Sequence, residues 1–177
     1  MALEENGNAS IIAEDVDGGS SDPDGDPITL SIDQSEFTCA DIGENTVTLT
    51  VTDDSGESDS CEATVTVVDQ IPPAVFCNAP DTIVPPDAPI SFKATADDNC
   101  GASVEIVEYD CSFINGSGRL VDKKESCVVQ FSGDTITIQD SGGVGDHITW
   151  TILATDDSGN TTEVECAVDV VNPGKGK

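Results

Sequence analysis

Apolar and polar residues alternate with a period of two along most of the chain. Ile28, Leu30 and Ile32 alternate with Thr29 and Ser31, and Val47, Leu49 and Val51 alternate with threonines. Cys61, Ala63, Val65 and Val67 share one face of the next segment. This period puts one face in a core and the other in water, so each run predicts a half-buried strand. Residues 9–13 predict a short first strand. The second half adds Ile90-Phe92-Ala94, Val104-Ile106, Val128 to Phe131, Ile136-Ile138, Ile148-Trp150-Ile152 and Val168-Val170. No stretch carries the 3.6-residue period of a helix, so the fold class expected is all-β.

The pattern repeats. Thr52-Asp53-Asp54-Ser55-Gly56 recurs as Thr155-Asp156-Asp157-Ser158-Gly159, and Val67-Val68-Asp69 recurs at the same offset as Val170-Val171-Asn172. A terminal hairpin that keeps its spacing indicates two copies of one domain type. Pro72-Pro73 ends the strand Thr64–Val68, because proline donates no backbone hydrogen bond and restricts its predecessor. Residues 1–70 are therefore read as one unit. Residues 71–172 form a second, larger one, with an insertion at about 112–147, and residues 173–177 start a linker. Short strands between turn signals predict two tandem immunoglobulin-like β-sandwich domains.

Charge narrows the functions. The 177 residues hold 35 acids against 6 Lys and Arg, a net charge of -29, and residues 1–70 contain no Lys or Arg. Nothing basic is available to meet phosphate, so nucleic acid is excluded as a partner. No apolar run is long enough to span a bilayer, so no direct membrane insertion is expected. Self-repulsion of this size calls for cations that screen it or bind. Seven cysteines favour an oxidising, extracellular setting, and with one histidine and no Cys-x-x-Cys pair a structural zinc site is not expected. Met1-Ala2 runs straight into Leu3-Glu4-Glu5 without a secretory leader, so a mature or engineered piece of a longer surface protein is expected.

Phe37-Thr38-Cys39, Asn45 with its threonine-rich strand, Thr52 to Gly56, Cys61 and the exit Asp69-Gln70-Ile71-Pro72-Pro73 together resemble the hyalin-repeat family and related bacterial immunoglobulin-like modules. Asp98-Asn99-Cys100-Gly101 and Ala154 to Asn160 match it in the second half. The resemblance implies a stalk or adhesive module of a secreted or surface protein rather than an enzyme.

Calcium takes six to eight oxygen ligands, from carboxylates, amides and carbonyls. Asp22-Pro23-Asp24-Gly25-Asp26 offers three carboxylates on alternate residues and resembles the acidic loops of cadherin-like modules. It lacks the glutamate and the flanking helices of an EF-hand. In such a sandwich Asp24 and Asp26 are expected near Asp53 and Asp54, with Glu4 and Glu5 as further candidates. By the repeat, Asp97, Asp98 and Asn99 are expected near Asp156 and Asp157, facing a joint that holds Asp69. Calcium is the expected cofactor. The competing reading is a set of solvated turns, since Asp, Ser and Gly favour turns in any case.

Cys39 and Cys61, the two cysteines of the first unit, are expected to pair. Cys77 and Cys100 can pair, and Cys111–Cys127, closing the insertion, is preferred over Cys111–Cys166. His147 is the sole candidate for a Ser-His-Asp triad and reads better as a surface turn residue. The expected function is a non-catalytic structural or adhesive module, with neighbouring modules or other copies as partners and head-to-tail filaments as one form of assembly. The rival is a calcium-dependent carbohydrate-binding module, for which only Tyr109, Phe113 and Phe131 are displayed as sugar platforms. Asn8, Asn115 and Asn160 head glycosylation triplets that matter only in a eukaryotic source.

Overall fold

The structure is a computed structural model that describes residues 1–85, 88–115, 117, 119–123, 127–141 and 143–172. It divides into two compact units, Met1–Ile71 and Pro72–Lys177. The proposed linker at 173–177 lies outside the described residues.

In the first unit, strands β1 (Asn8–Ser10), β2 (Ile28–Ile32), β3 (Glu36–Thr38), β4 (Gly43–Asp53) and β5 (Ser58–Val67) form two antiparallel sheets, β2-β4-β5 and β1-β3. Ala2 adds a parallel bridge to Val68. The alternation sends Phe37, Val47, Leu49 and Val67 to full burial. At about 25 cal/mol per Å² of apolar surface, each such side chain stabilises the fold by about 1.5–3 kcal/mol before entropy is counted.

The second unit contains β6 (Ala74–Phe76), β7 (Thr82–Ile83), β8 (Ile90–Lys93), β9 (Thr95–Asp97), β10 (Ala102–Ile114), β11 (Leu120–Asp122), β12 (Val128–Ser132), β13 (Thr135–Asp140), β14 (Asp146–Asp156) and β15 (Thr161–Val170). One sheet runs β11-β10-β14-β15-β7, with β7 parallel to β15; the other runs β12-β13-β8, and β6 pairs with β9. A β6/β9/β8/β13/β12 layer against a β10/β14/β15 layer is the strand arrangement of an immunoglobulin-like sandwich. Phe92 on β8 stacks on Trp150 of β14, with ring centroids 6.1 Å apart and planes 3° from parallel. Trp150 is thus core. The stretch set apart as an insertion supplies β11, β12 and β13, and Ile136 and Ile138 within it are fully buried. Its strands belong to the sandwich.

The repeat is visible strand by strand. Gly43–Asp53 and Ser58–Val67 have their counterparts in Asp146–Asp156 and Thr161–Val170, at one constant offset.

The cysteine pairing corrects part of the sequence reading. Cys77, just after β6, bonds Cys166 of β15, not Cys100, because Cys166 lies in the core and Cys77 packs against it. Cys111 bonds Cys127 as expected. Cys61 is a free, exposed thiol. The expected Cys39–Cys61 bond is absent.

Candidate metal centre

The two repeated hairpins end in the same turn. Asp53 N–H donates to the Glu57 carbonyl at 3.0 Å, and Asp156 N–H donates to the Asn160 carbonyl at 3.1 Å. Gly56 and Gly159 take φ of 86° and 88°, which a side chain would resist. In each turn the aspartate folds its carboxylate back over the backbone. Asp53 Oδ1 accepts from Glu57 N–H at 2.9 Å, and Asp156 Oδ1 accepts from Asn160 N–H at 2.8 Å. The first duty of Asp-Asp-Ser-Gly is therefore to staple a turn.

The copies then diverge. Asp53 is half-exposed, whereas Asp156 retains 5% of its accessible surface. Asn160, the counterpart of Glu57, adds an Nδ2 hydrogen bond to Asp156 Oδ2 at 2.8 Å. Above Asp156 lies the β9–β10 turn, because Ala102, the first residue of β10, pairs with Asp156. Gly101 at φ 93° lets residues 98–101 fold back tightly. Asp98 Oδ1 accepts from Cys100 N–H at 2.9 Å. Its other oxygen, Oδ2, is shut off from solvent and has no hydrogen-bond partner. Oxygens of Asp98 and Asp156 approach within 4.8 Å of each other. The Asn99 side-chain carbonyl oxygen is likewise buried.

Two carboxylates are thus held together, one oxygen dry, and none of the ion pairs among the described residues involves either acid. Burying a charge without a partner is costly. A pair of carboxylates offering only oxygen suits a hard cation such as calcium.

The remaining predicted ligands are arranged otherwise. Asp22 Oδ1 accepts from Asp24 N–H at 2.8 Å and Asp26 N–H at 3.2 Å, so this loop is closed by its own backbone, and Asp24 and Asp26 are exposed. Among the described residues no ligating cluster joins Asp22, Asp24 or Asp26 to Asp53 or Asp54. Asp54, Asp97 and Asp157 are exposed, as are Glu4 and Glu5. Asp69 is buried at the end of the first unit, where its Oδ1 accepts from Ile71 N–H at 3.1 Å.

Sequence reasoning missed Asp146. Its side chain is wholly buried in the second unit, paired with Lys123 Nζ at 3.2 Å, and Lys123 also lies 5.0 Å above the Phe113 ring. The available signal was scarcity: with six Lys and Arg in all, each cation is worth tracing to an acid. His147 Nδ1 meets Asp169 Oδ1 at 2.6 Å, and Ser112 lies opposite His147 in the ladder. No hydrogen bond between Ser112 and His147 completes a triad among the described residues. Tyr109 meets Phe131 edge-on, with planes 67° apart, so the two rings present no common flat face to a sugar.

No protein-family model matches the chain. The chain is 31% identical over 156 residues to the Sushi, von Willebrand factor type A, EGF and pentraxin domain-containing protein 1 of Rattus norvegicus, covering 72% of this chain and 4% of that protein. Among solved structures it is similar to a protocadherin gammaB7 EC3-6 cis-dimer (17% identity, 85% of this chain and 42% of that one, TM-score 0.42). It is also similar to Sidekick-1 immunoglobulin domains 1–4 (12%, 82% and 40%, 0.39) and the Yersinia pseudotuberculosis adhesin InvE (15%, 96% and 56%, 0.32).

Proposed function

We propose that the chain is a non-catalytic structural or adhesive module of an extracellular protein, and that its second unit binds calcium through Asp98, Asp156 and Asn99. The observation that carries this reading is the buried, unpartnered Asp98 Oδ2 beside the buried Asp156 carboxylate. A divalent cation there would supply charge neutralisation. The chain supplies the geometry: the β14–β15 turn fixes Asp156 through Asn160, and the β9–β10 turn fixes Asp98 through Cys100. Holding both acids to one ion ties two turns at one end of the sandwich and removes their mutual repulsion.

Disulfides in the second unit fit an oxidising, extracellular location. On this reading the partners are neighbouring modules of the same protein or further copies of it, and the hyalin-repeat resemblance points the same way. Thermal unfolding of the full chain tests the proposal. Millimolar calcium, but not magnesium, is expected to raise the melting temperature, because magnesium gives up its water shell reluctantly. No rise with calcium refutes it.

A further inference from the structure

The interior of the second unit holds another group of ligand-type side chains, away from the turn that carries Asp156. Cys111 on β10, Cys127 just before β12 and Asp146 at the start of β14 are 0%, 5% and 1% exposed. Asp146 pairs with Phe113 in the β10–β14 ladder, and Cys111 lies two residues before Phe113, on the same face of β10. A carboxylate oxygen of Asp146 and both sulfurs fall within 4.8 Å of one another. Lys123, its side chain 34% exposed, takes Asp146 Oδ1 at 3.2 Å. Asp146 Oδ2 is shut off from solvent and has no hydrogen-bond partner.

The disulfide gives that oxygen nothing, because a bonded sulfur carries neither a proton to donate nor a charge. A buried carboxylate oxygen left in this state is costly. Reduction changes what the sulfurs offer. Two thiolates and one carboxylate carry three negative charges, and a zinc ion with the Lys123 ammonium carries three positive ones. Zinc accepts mixed sulfur and oxygen donors, whereas calcium takes oxygen alone. Ligands at about 2.0–2.3 Å around a tetrahedral zinc stand about 3.3–3.8 Å from each other, inside the 4.8 Å limit observed. The Ser141 carbonyl oxygen, 3.3 Å from Cys127 Sγ, borders the fourth position. Among the described residues no carboxylate joins Cys77 and Cys166 in such a cluster, so that pair lacks the third ligand.

We propose that Cys111, Cys127 and Asp146 form a redox-gated zinc site, closed by the disulfide when oxidised and assembled when a dithiol reduces it. The dithiol supplies two electrons and two protons and becomes a cyclic disulfide, while the Cys111–Cys127 bond opens to two thiols. Zinc then binds both sulfurs as thiolates and releases their two protons to solvent. The donors are not those of the calcium reading, so neither proposal rests on the other.

The test uses the full chain, reduced with dithiothreitol, freed of reductant without air, and titrated with cobalt(II) as a spectroscopic stand-in for zinc. One equivalent is expected to bind with the near-ultraviolet thiolate-to-cobalt charge-transfer band, and added zinc is expected to displace it. The oxidised chain is expected to show no band. A cobalt ion held by Asp98 and Asp156 would have oxygen ligands and no such band, so the two sites are read apart. C111S, C127S and Asp146→Asn are each expected to bind cobalt at least about tenfold more weakly, with the near-ultraviolet circular dichroism of Trp150 reporting that the fold is kept. Labelling of the reduced wild type by iodoacetamide decides the matter should a variant lose that signal. Zinc is expected to slow labelling of Cys111 and Cys127 about tenfold or more and to leave that of exposed Cys61 unchanged, as read by peptide mass. No charge-transfer band in the reduced chain, wild-type affinity in any folded variant, or equal labelling of Cys111 and Cys127 with and without zinc would overturn the proposal.

Discussion

Asp98→Asn separates the metal reading from a purely structural one, because it moves stability in opposite directions with and without calcium. Asparagine keeps an Oδ1 to accept from Cys100 N–H, the 2.9 Å bond that shapes the turn, and removes only the charge. At the 4.8 Å limit of approach to Asp156, two unit charges repel by about 3.5 kcal/mol at an effective dielectric of about 20. Asp98 is half-buried, so water screens part of this, leaving about 1–3 kcal/mol. In chelator the variant should melt several degrees above the wild type, at roughly 4–8 °C per kcal/mol for a domain of this size. In calcium at about a thousand times its dissociation constant the wild type gains about 4.1 kcal/mol and the variant does not, so the order reverses. Scanning calorimetry of both proteins in chelator and in calcium reads all four values. A variant no more stable than wild type in chelator would refute the claim that the two acids repel. An unchanged calcium response would refute the claim that Asp98 is a ligand.

Further expectations concern the scaffold. Trp150→Ala removes the stacked partner of Phe92 from a site 1% exposed and should cost about 3–5 kcal/mol in denaturant unfolding of the second unit. Cys166→Ser opens a disulfide spanning 89 residues and should cost about 4–5 kcal/mol, whereas Cys61→Ser should leave the same unfolding midpoint unchanged. Lys123→Ala strands the buried Asp146 charge and should destabilise the second unit by about 3–5 kcal/mol, read in the same assay. Asp33 is held below the ordinary aspartate range by the Thr48 backbone N–H, which it accepts at 2.8 Å, and by the Thr48 hydroxyl. A depressed folded-state value contributes stability above the unfolded value that is lost as pH falls through the folded one. Asp33→Asn should therefore flatten the stability–pH curve below about pH 4 and leave its slope at neutral pH unchanged, as followed by melting temperature across pH.

The strands were legible because alternation is a local signal. Val47, Leu49, Val65 and Val67 show their face from spacing alone, and the repeat of Thr52–Gly56 in Thr155–Gly159 carried a whole hairpin from one unit to the other. The metal-site reading was only partly legible, because turn chemistry and ligand chemistry use the same residues. Asp22, Asp24 and Asp26 have the spacing of a calcium loop, but the Asp22 carboxylate is consumed by the amides of Asp24 and Asp26. Asp98 beside Asp156 was an expectation of the repeat, whereas the burial of Asp156 and the exposure of Asp97 and Asp157 are set by tertiary packing that spacing does not encode. Disulfide connectivity was hidden for the same reason: Cys77 meets Cys166 only through the packing of the folded second unit.

The most direct measurement is anomalous diffraction from crystals of the full chain grown in calcium. A peak lying about 2.3–2.6 Å from carboxylate oxygens of both Asp98 and Asp156 is expected. Those two side chains turned apart into solvent, with no peak between them, would contradict it.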